Sequence, residues 1–511
     1  MKVSTVLGEL NLGKSVAEFD EGLDRYFVDT EIFRSLTTDT VDIIAGDKGT
    51  GKTALYRTLK QRYAKIPELA HTEIITGFNV TGNPVFQKLV HIQTLTEGQY
   101  RAIWKTYIFS LVANWLLQLY DENTTEEMDE LQDMLTVAGL RSYDDSAETV
   151  FSRIVGAVSR LLRPSSAEVE VSLSETGMPI VKPKLEFEKD EKKTSPVIDP
   201  NEIPYEAALK TLDKALGTAN ITVWIAFDRL DEAFQGFENI EIPALRALLR
   251  SYLDIQDFPH IKLKLFVRKD LFRKVISGGF VNLTHINAQK IEIVWDEEDL
   301  LALLAARVRE STQFSEALSL TGSETDIEVF YKIFPGQIDP GSRKPNTWNW
   351  MMTRIRDGNN IKPPRNLLDL VEKARQTQLR DEQRSARDVT PGEPLIQADS
   401  VRKAQKQLSQ QRVEDTLLAE SPELAETIEL FRGGRAEHNA QSLSEMLLVP
   451  VADIRSTVRP LQHAGFLEEI GSNFKVPSLY REGLEIKQGK AFAMTGAEDQ
   501  SGDEADNAES D

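Results

Sequence analysis

One stretch of this 511-residue chain predicts its fold: Val41-Asp-Ile-Ile-Ala-Gly46-Asp-Lys-Gly-Thr-Gly51-Lys52-Thr53-Ala-Leu55. Its first five residues are mostly apolar and predict a short buried strand. Leu55, Leu59 and Tyr63, four residues apart, predict a helix that follows. Between the two, residues 46–53 match the pattern G-x-x-x-x-G-K-[ST] in full. A strand before this motif and a helix after it indicate a phosphate-binding loop.

The residue types in this motif suit phosphate chemistry. Glycines let the backbone come close to a phosphate group, and the N-terminus of the following helix adds N–H donors and partial positive charge. Lys52 can reach the β- and γ-phosphates, and the Thr53 hydroxyl can ligate Mg²⁺. The sequence therefore predicts nucleotide contacts from Gly46, Asp47, Lys48, Gly49, Thr50, Gly51, Lys52, Thr53 and Ala54.

A second motif begins at residue 221. Ile221-Thr-Val-Trp-Ile-Ala-Phe227 is a continuous apolar run, typical of a fully buried parallel strand, and it is followed by Asp228-Arg-Leu-Asp231-Glu232. At the end of such a strand, Asp228 is predicted to hold Mg²⁺ through its water shell. Either Asp231 or Glu232 is predicted to orient or deprotonate the attacking water.

Two arginines complete the candidate site. Strands are also predicted at 71–80, 261–267 and 289–295, and in an ATPase sheet of order 5-1-4-3-2 the fourth strand lies between the first and the third. Arg268 ends that fourth strand, which makes it a candidate sensor of the γ-phosphate; a surface arginine is the alternative. Arg365 follows Pro363-Pro364 at a predicted helix start, from which a small helical lid could bring it to the nucleotide.

Composition excludes several classes of protein. Cys is absent, so disulfides and Cys-based zinc sites are excluded and a reducing compartment fits. The N-terminus lacks the apolar core of a signal peptide, and the most apolar helix, 108–119, is too short and polar to span a bilayer, so we expect a cytoplasmic protein without membrane contact. The net charge, 60 − 81 = −21, argues against non-specific coating of nucleic acid.

The organisation predicted for the chain is an α/β P-loop NTPase fold followed by smaller parts. An ATPase core spans 1–300, with an insertion at about 121–200 that includes a hairpin near 169–188 and serves as a partner surface or a lid. A helical lid (301–380), a polar linker (381–419), a winged-helix domain (420–485) and a disordered acidic tail (490–511) complete the chain.

The winged-helix prediction rests on three helical patterns followed by a hairpin. The second helix is predicted to begin at Ser442 with a capping box to Glu445, and Arg455, Arg459 and His463 share one face of the third. That face suits DNA. Residues 420–485, however, contain 6 Lys and Arg against 11 Asp and Glu, so a protein-contact or regulatory role is the alternative.

In these motifs, the chain resembles a bacterial group of P-loop ATPases that are related to the KAP and STAND ATPases and, more distantly, to the origin-recognition AAA+ proteins. The resemblance covers about 35–380 and rests on Lys48-Gly-Thr-Gly-Lys-Thr-Ala54, Phe227-Asp-Arg-Leu-Asp-Glu232, Trp295-Asp-Glu-Glu-Asp-Leu300 and Pro364-Arg-Asn-Leu-Leu368. It implies ATP hydrolysis with Mg²⁺ and nucleotide-dependent oligomerisation. It also implies a switch or motor for a partner effector, often beside anti-phage defence genes. Arg229, Arg307 and Arg309 are the candidates for an arginine finger.

Two further functions stay open besides the ATPase switch. One is an ATP-regulated DNA-binding protein of loader or regulator type, with the winged helix on the duplex. The other is an assembly protein that binds nucleotide without hydrolysing it. A second active site is not expected, because the chain has only six His and no cluster with metal-ligand spacing.

Overall fold

The computed structural model describes residues 1–78, 95–120, 124–141, 154, 169–173, 179–183, 205–230, 238–277 and 279–492. The chain divides into two compact units. The first, here called the sheet unit, contains Glu31–Gly46 and Lys52–Ile293, and the second, the helical unit, contains Met1–Thr30, Asp47–Gly51 and Val294–Asp511. Of the predicted acidic tail, 490–511, residues 493–511 lie outside the described residues, whereas Lys490 ends a strand that begins at Lys487.

The sheet unit is built on a five-stranded parallel sheet. Its strands are β1 (Ile43–Gly46), β2 (Thr72–Phe78), β5 (Thr222–Phe227), β6 (Ile261–Arg268) and β7 (Lys290–Glu292). They lie in the order β2-β5-β6-β1-β7, and every neighbouring pair is parallel. Read from β7, this is the predicted order 5-1-4-3-2, so the α/β class and the strand order are confirmed.

Helices accompany this sheet in the same unit. The side chains of β1 and of Val223–Phe227 in β5 are buried because apolar residues pack against the sheet. Trp104, Tyr107 and Phe227 form an aromatic cluster within that core. The helices are Glu31–Thr37, Lys52–Arg62, Glu97–Tyr120, Glu126–Val137, Tyr205–Thr218, Glu238–Ile255, Lys269–Ser277 and Leu283–Ala288.

The region predicted as an insertion contains two further strands. β3 (Val169–Leu173) and β4 (Pro179–Pro183) pair antiparallel, with Val171 opposite Val181. The alternation predicted at 185–188 lies outside the described residues, as does the rest of 184–204.

The helical unit has a separate core, in which residues 3–12 pack with residues from 300 onward. Asp296 caps the helix Glu297–Glu310 by accepting a hydrogen bond from the Asp299 N–H at 2.7 Å. The apolar face of this helix is buried, and it consists of Leu300, Leu303, Leu304 and Val308. The other helices of this unit up to residue 412 are Val3–Gly8, Thr312–Ala317, Asp326–Ile333, Thr347–Ile355, Pro364–Arg384 and Ala398–Arg412.

The stretch predicted as a polar linker is largely helical. The helix Pro364–Arg384 extends into it, and Ala398–Arg412 occupies its second half. The linker prediction overlooked Val401, Ala404 and Leu408, which form a narrow apolar stripe within a Gln-rich and Arg-rich sequence and are fully buried. A π-helical segment, Val413–Leu418, continues the second helix.

Residues 420–485, here called the C-terminal module, contain the helices Ala425–Glu429, Ala440–Leu447, Ile454–His463 and Ser478–Arg481. Strands β8 (Arg435–His438), β9 (Glu468–Ile470) and β10 (Asn473–Lys475), with β11 (Lys487–Lys490) beyond the module, form a sheet of order β11-β8-β10-β9. The predicted hairpin is β9–β10. The predicted start at Ser442 is wrong, because Asn439 caps this helix and Ser442 closes the capping box from inside it. The lid and winged-helix assignments stay predictions.

No helix among the described residues is long and apolar enough to cross a membrane.

Candidate functional site

The predicted phosphate loop connects β1 to the helix Lys52–Arg62, as the motif requires. Gly49 and Gly51 have φ angles of +79° and +103°, which residues with a side chain rarely adopt. The loop belongs to both units, because residues 47–51 group with the helical unit while Gly46 and Lys52 belong to the sheet unit. Ala54 lies in the first turn of the helix.

Lys52 lies close to the end of β1. Its ammonium group donates a hydrogen bond to the Gly46 carbonyl at 2.8 Å. This contact spans the motif from its first residue to its lysine, and it holds the positive charge at the carboxyl end of β1.

Asp228 and Thr53 come together in the sheet unit. Asp228 directly follows β5, is 6% exposed, and accepts a hydrogen bond from the Thr53 side chain. Burial raises the pKa of Asp228 to about 6, although the Thr53 hydrogen bond and the nearby charges of Arg229 and Lys52 lower it. A buried carboxylate beside a hydroxyl supplies the oxygen donors that Mg²⁺ prefers, so these two residues fit a magnesium ion.

Arg268 ends β6 directly opposite Gly46 in the parallel register. Its guanidinium forms two hydrogen bonds with the Asp270 carboxylate, at 3.1 and 2.9 Å. The carboxyl ends of β1, β5 and β6 thus carry Gly46, Asp228 and Arg268 along one edge of the sheet.

In the helical unit, hydrogen bonds and an ion pair fix residues 47–51. The Trp295 indole N–H donates to the Thr50 carbonyl at 2.8 Å, and the Thr50 hydroxyl donates to the Asp47 carbonyl at 2.8 Å. Lys48 forms an ion pair with Glu420. The central part of the loop is therefore fixed by side chains that lie hundreds of residues later in the sequence.

Arg365 packs beside this same part of the loop. A Cβ atom added to Gly49 would lie 3.2 Å from the Arg365 Cβ and 3.5 Å from the Pro363 Cβ. Within the described ranges, no hydrogen bond or ion pair reaches the Arg365 guanidinium, and its Nε is buried. A half-buried guanidinium without a partner is costly, and an anion next to Gly49 would satisfy it.

The other predicted residues have different outcomes. Asp231 and Glu232 lie outside the described residues. Arg307 is 4% exposed and pairs with Asp20 at 3.0 Å, so burial makes its guanidinium unavailable to a neighbouring subunit. Arg309 donates to Asp326 at 2.6 Å, and Arg229 has a left-handed φ of +57° directly after Asp228.

Sequence reasoning missed three residues around the loop. Trp295 was assigned to the end of the predicted fifth strand, 289–295, and to one of the motifs of the resemblance, but its hydrogen bond to the loop was not predicted. Glu420 gave no signal in the sequence. Asp357 is half-buried near Asp47, and desolvation raises its pKa to about 6, although hydrogen bonds donated by the backbone N–H groups of Ile361 and Asn359 lower it.

Comparisons with known proteins give distant likenesses. No family model matches the chain. A putative transposon gamma-delta 80.3 kDa protein of Escherichia coli K12 is 22% identical over 310 residues, which is 58% of this chain and 39% of that protein. The chain thus matches well under two thirds of that relative's length.

Two solved structures are similar over most of the chain. One is a Walker-type ATPase of Pyrococcus abyssi, with a TM-score of 0.36 and 11% identity over 94% of this chain and 100% of that one. The other is the ORC2 protein of Aeropyrum pernix in ADPNP–ADP complexes, with a TM-score of 0.37 and 12% identity over 91% and 96%. Both TM-scores lie below 0.5.

Proposed function

We propose that this protein is a Mg²⁺-dependent P-loop ATPase. The observation that carries the proposal is the sheet edge where Lys52 bonds to Gly46 and Thr53 bonds to the buried Asp228. Two sequence motifs separated by about 175 residues supply these groups, and the strand order that brings them together is the one the motifs predicted. A chance glycine-rich turn would have no reason to meet a buried aspartate.

The residues of the loop would bind the phosphates of ATP. Lys52 supplies positive charge for the β- and γ-phosphates, and Thr53 and Asp228 would hold Mg²⁺. When bound there, Mg²⁺ would neutralise charge on the β- and γ-phosphates and so would stabilise ADP as the leaving group. Asp228 acts in its ionised form, and its neighbours Lys52 and Arg229 favour that form.

Further groups would act on the γ-phosphate and on water. Arg268, at the end of β6, and Arg365, beside Gly49, are proposed to contact phosphate oxygens, where arginine forks bind well. Asp231 or Glu232 is proposed to orient the attacking water and accept its proton. Asp231 and Glu232 are assigned by the motif that follows β5, Arg268 by its place at the end of β6, and Arg365 by its place beside Gly49.

The biological setting follows from the resemblance to bacterial P-loop ATPases. We propose an oligomerising cytoplasmic switch or motor that drives a partner effector in anti-phage defence. ATP would order the loop and lid, and hydrolysis would release them. The effector chemistry would belong to the partner, because the sequence has no second catalytic motif.

The test is ATP hydrolysis by the purified chain with Mg²⁺. We expect Lys52→Ala to lower turnover about 100-fold or more, because the charge that stabilises the transferring phosphate is lost. Of Asp231→Asn and Glu232→Gln, the variant that replaces the water-orienting carboxylate should bind ATP and fail to hydrolyse it in a single-turnover assay. Equal turnover by wild type and Lys52→Ala would refute the ATPase assignment. A wild type that binds ATP without hydrolysing it would instead support the alternative of an assembly protein.

A second candidate function is DNA binding, which the surface of the C-terminal module favours. Ile454, Val458 and Leu461 anchor the helix Ile454–His463 in the core, while Arg455, Arg459 and His463 are exposed on its other face. Arg455 pairs weakly with Glu469 at 3.5 Å, and Arg459 has no partner among the residues described here. An exposed basic helix face followed by a hairpin suits the groove of duplex DNA.

DNA binding is tested by mobility shift over a salt series, with and without ATP. We expect Arg455→Glu/Arg459→Glu to weaken the complex about tenfold or more and to lower the salt slope by about 2, as expected for two lost phosphate contacts. Arg435→Glu/Lys487→Glu changes the same charge on β8 and β11 and should have little effect. If wild type gives no shift at low salt, this second function is wrong.

A further inference from the structure

The phosphate loop and the C-terminal module are joined by a closed circuit of contacts in the helical unit. Arg365 packs beside Gly49, and its neighbour Asn366 accepts a hydrogen bond from Arg412 at 2.7 Å. Arg412 is the last residue before the π-helical segment Val413–Leu418, and Glu420 follows this segment and pairs with Lys48. The circuit thus begins and ends on the loop. Such π-helical segments occur often at functional sites.

The Lys48–Glu420 pair has an electrostatic consequence for the loop. Lys48 is one of the two lysines in the motif, and its charge is largely neutralised by the half-buried Glu420 carboxylate. A nucleoside triphosphate carries several negative charges. Its phosphates would be repelled by Glu420 and would compete with Glu420 for Lys48, because Coulomb interactions at this range are only partly screened.

We propose that Glu420 is a positioning residue that lowers the nucleotide affinity of the loop by holding Lys48, and that the C-terminal module sets this affinity through it. The inference rests on the proposed ATP-binding function and names how that site is regulated. Because coupling is reciprocal, nucleotide binding loosens the connector Val413–Leu418, and a ligand that displaces the module from Lys48 tightens nucleotide binding.

Other contacts keep the module folded and attached when this pair is broken. The Gly358 N–H donates to the Gly465 carbonyl at 2.7 Å, and the Gly483 N–H donates to the Ser409 hydroxyl at 2.8 Å. Buried residues of the module also belong to the same core as the helix Ala398–Arg412. A change at Glu420 can therefore alter the loop without unfolding the module.

The experiment measures the affinity of the full chain for a non-hydrolysable ATP analogue with Mg²⁺ by calorimetry. We expect Glu420→Gln to bind the analogue about five- to tenfold more tightly than wild type at low salt. The control Glu423→Gln removes the same charge three residues later, from an exposed side chain, and should bind like wild type. In a Lys48→Ala background, the effect of Glu420→Gln should shrink to below about twofold, because the pair is already broken.

A second readout follows the connector. Hydrogen exchange of residues 413–424 should rise in wild type when the analogue binds, and should already be high in Glu420→Gln without it. The coupling is wrong if wild type and Glu420→Gln bind the analogue with equal affinity, or if Glu420→Gln and Glu423→Gln gain affinity equally. The ATPase assignment stays intact in either case if Lys52→Ala still loses binding. A wild type that binds no nucleotide would overturn both.

Discussion

Replacing Asp228 with Asn is expected to abolish ATP turnover and to stabilise the protein at neutral pH. The variant removes the carboxylate that we assign to Mg²⁺, so we expect turnover to fall about 100-fold or more. It also removes a charge from a site that is 6% exposed. The Thr53 hydroxyl can still donate to the amide oxygen of the new side chain, so the local hydrogen bond is kept.

The stability effect depends on pH with a definite sign. Burial raises the pKa of Asp228 to about 6, above the ordinary value of 3.8. The folded protein therefore binds this proton more tightly than the unfolded chain does, and stability from this group is present below about pH 4 and lost as the pH rises through 6. We expect the free energy of unfolding of Asp228→Asn, relative to wild type, to rise by about 2 to 3 kcal/mol between pH 4 and pH 7.

Urea unfolding at several pH values, with EDTA present, measures this difference. Asp257→Asn is the matched control, because Asp257 is exposed in the same unit and its substitution should give no such rise between pH 4 and pH 7. An Asp228→Asn variant that hydrolyses ATP at the wild-type rate would show that the carboxylate has no part in the reaction.

Replacing Gly49 with Ala is expected to damage the loop more than its cost in stability suggests. The φ angle of +79° makes any side chain unfavourable there by about 1 kcal/mol. The new Cβ would also lie 3.2 Å from the Arg365 Cβ, so either the loop or Arg365 must move. Since both are proposed to contact phosphate, we expect turnover to fall about tenfold or more.

The control Gly322→Ala separates the cost of the positive φ angle from the effect of the contact with Arg365. Gly322 has a φ of +82° in the same unit, and a Cβ added there would meet nothing within 4 Å. We expect both variants to lose about 1 kcal/mol of stability, and only Gly49→Ala to lose turnover. Equal turnover in the two variants would mean that the contact between Gly49 and Arg365 has no role in the reaction.

The sequence predicted those features that short-range patterns encode. The positions of the strands follow from continuous apolar runs such as 221–227, and their order was taken from the sheets of P-loop ATPases. Asp228 could be identified because it directly follows such a run, and Arg365 because two prolines precede it. The helix start was misplaced because Ser442-x-x-Glu445 matches the usual capping-box pattern, whereas the helix is capped by Asn439 with Ser442 at its third position.

Contacts between distant residues could not be predicted in this way. The hydrogen bond from Trp295 to Thr50 joins residues 245 apart, and the Lys48–Glu420 pair joins residues 372 apart. Neither leaves a periodic trace in the sequence. The helix Ala398–Arg412 was missed for a related reason, since its buried apolar residues Val401, Ala404 and Leu408 are spread among polar residues that composition alone assigns to a linker.

Calorimetric titration of the purified chain with ATP and Mg²⁺ tests the central claim most directly. We expect wild type to bind one nucleotide per chain, and Lys52→Ala to bind about 100-fold more weakly or not at all. Binding of equal strength by both proteins, or none by wild type, would contradict the assignment of the Gly46–Thr53 loop as a nucleotide site.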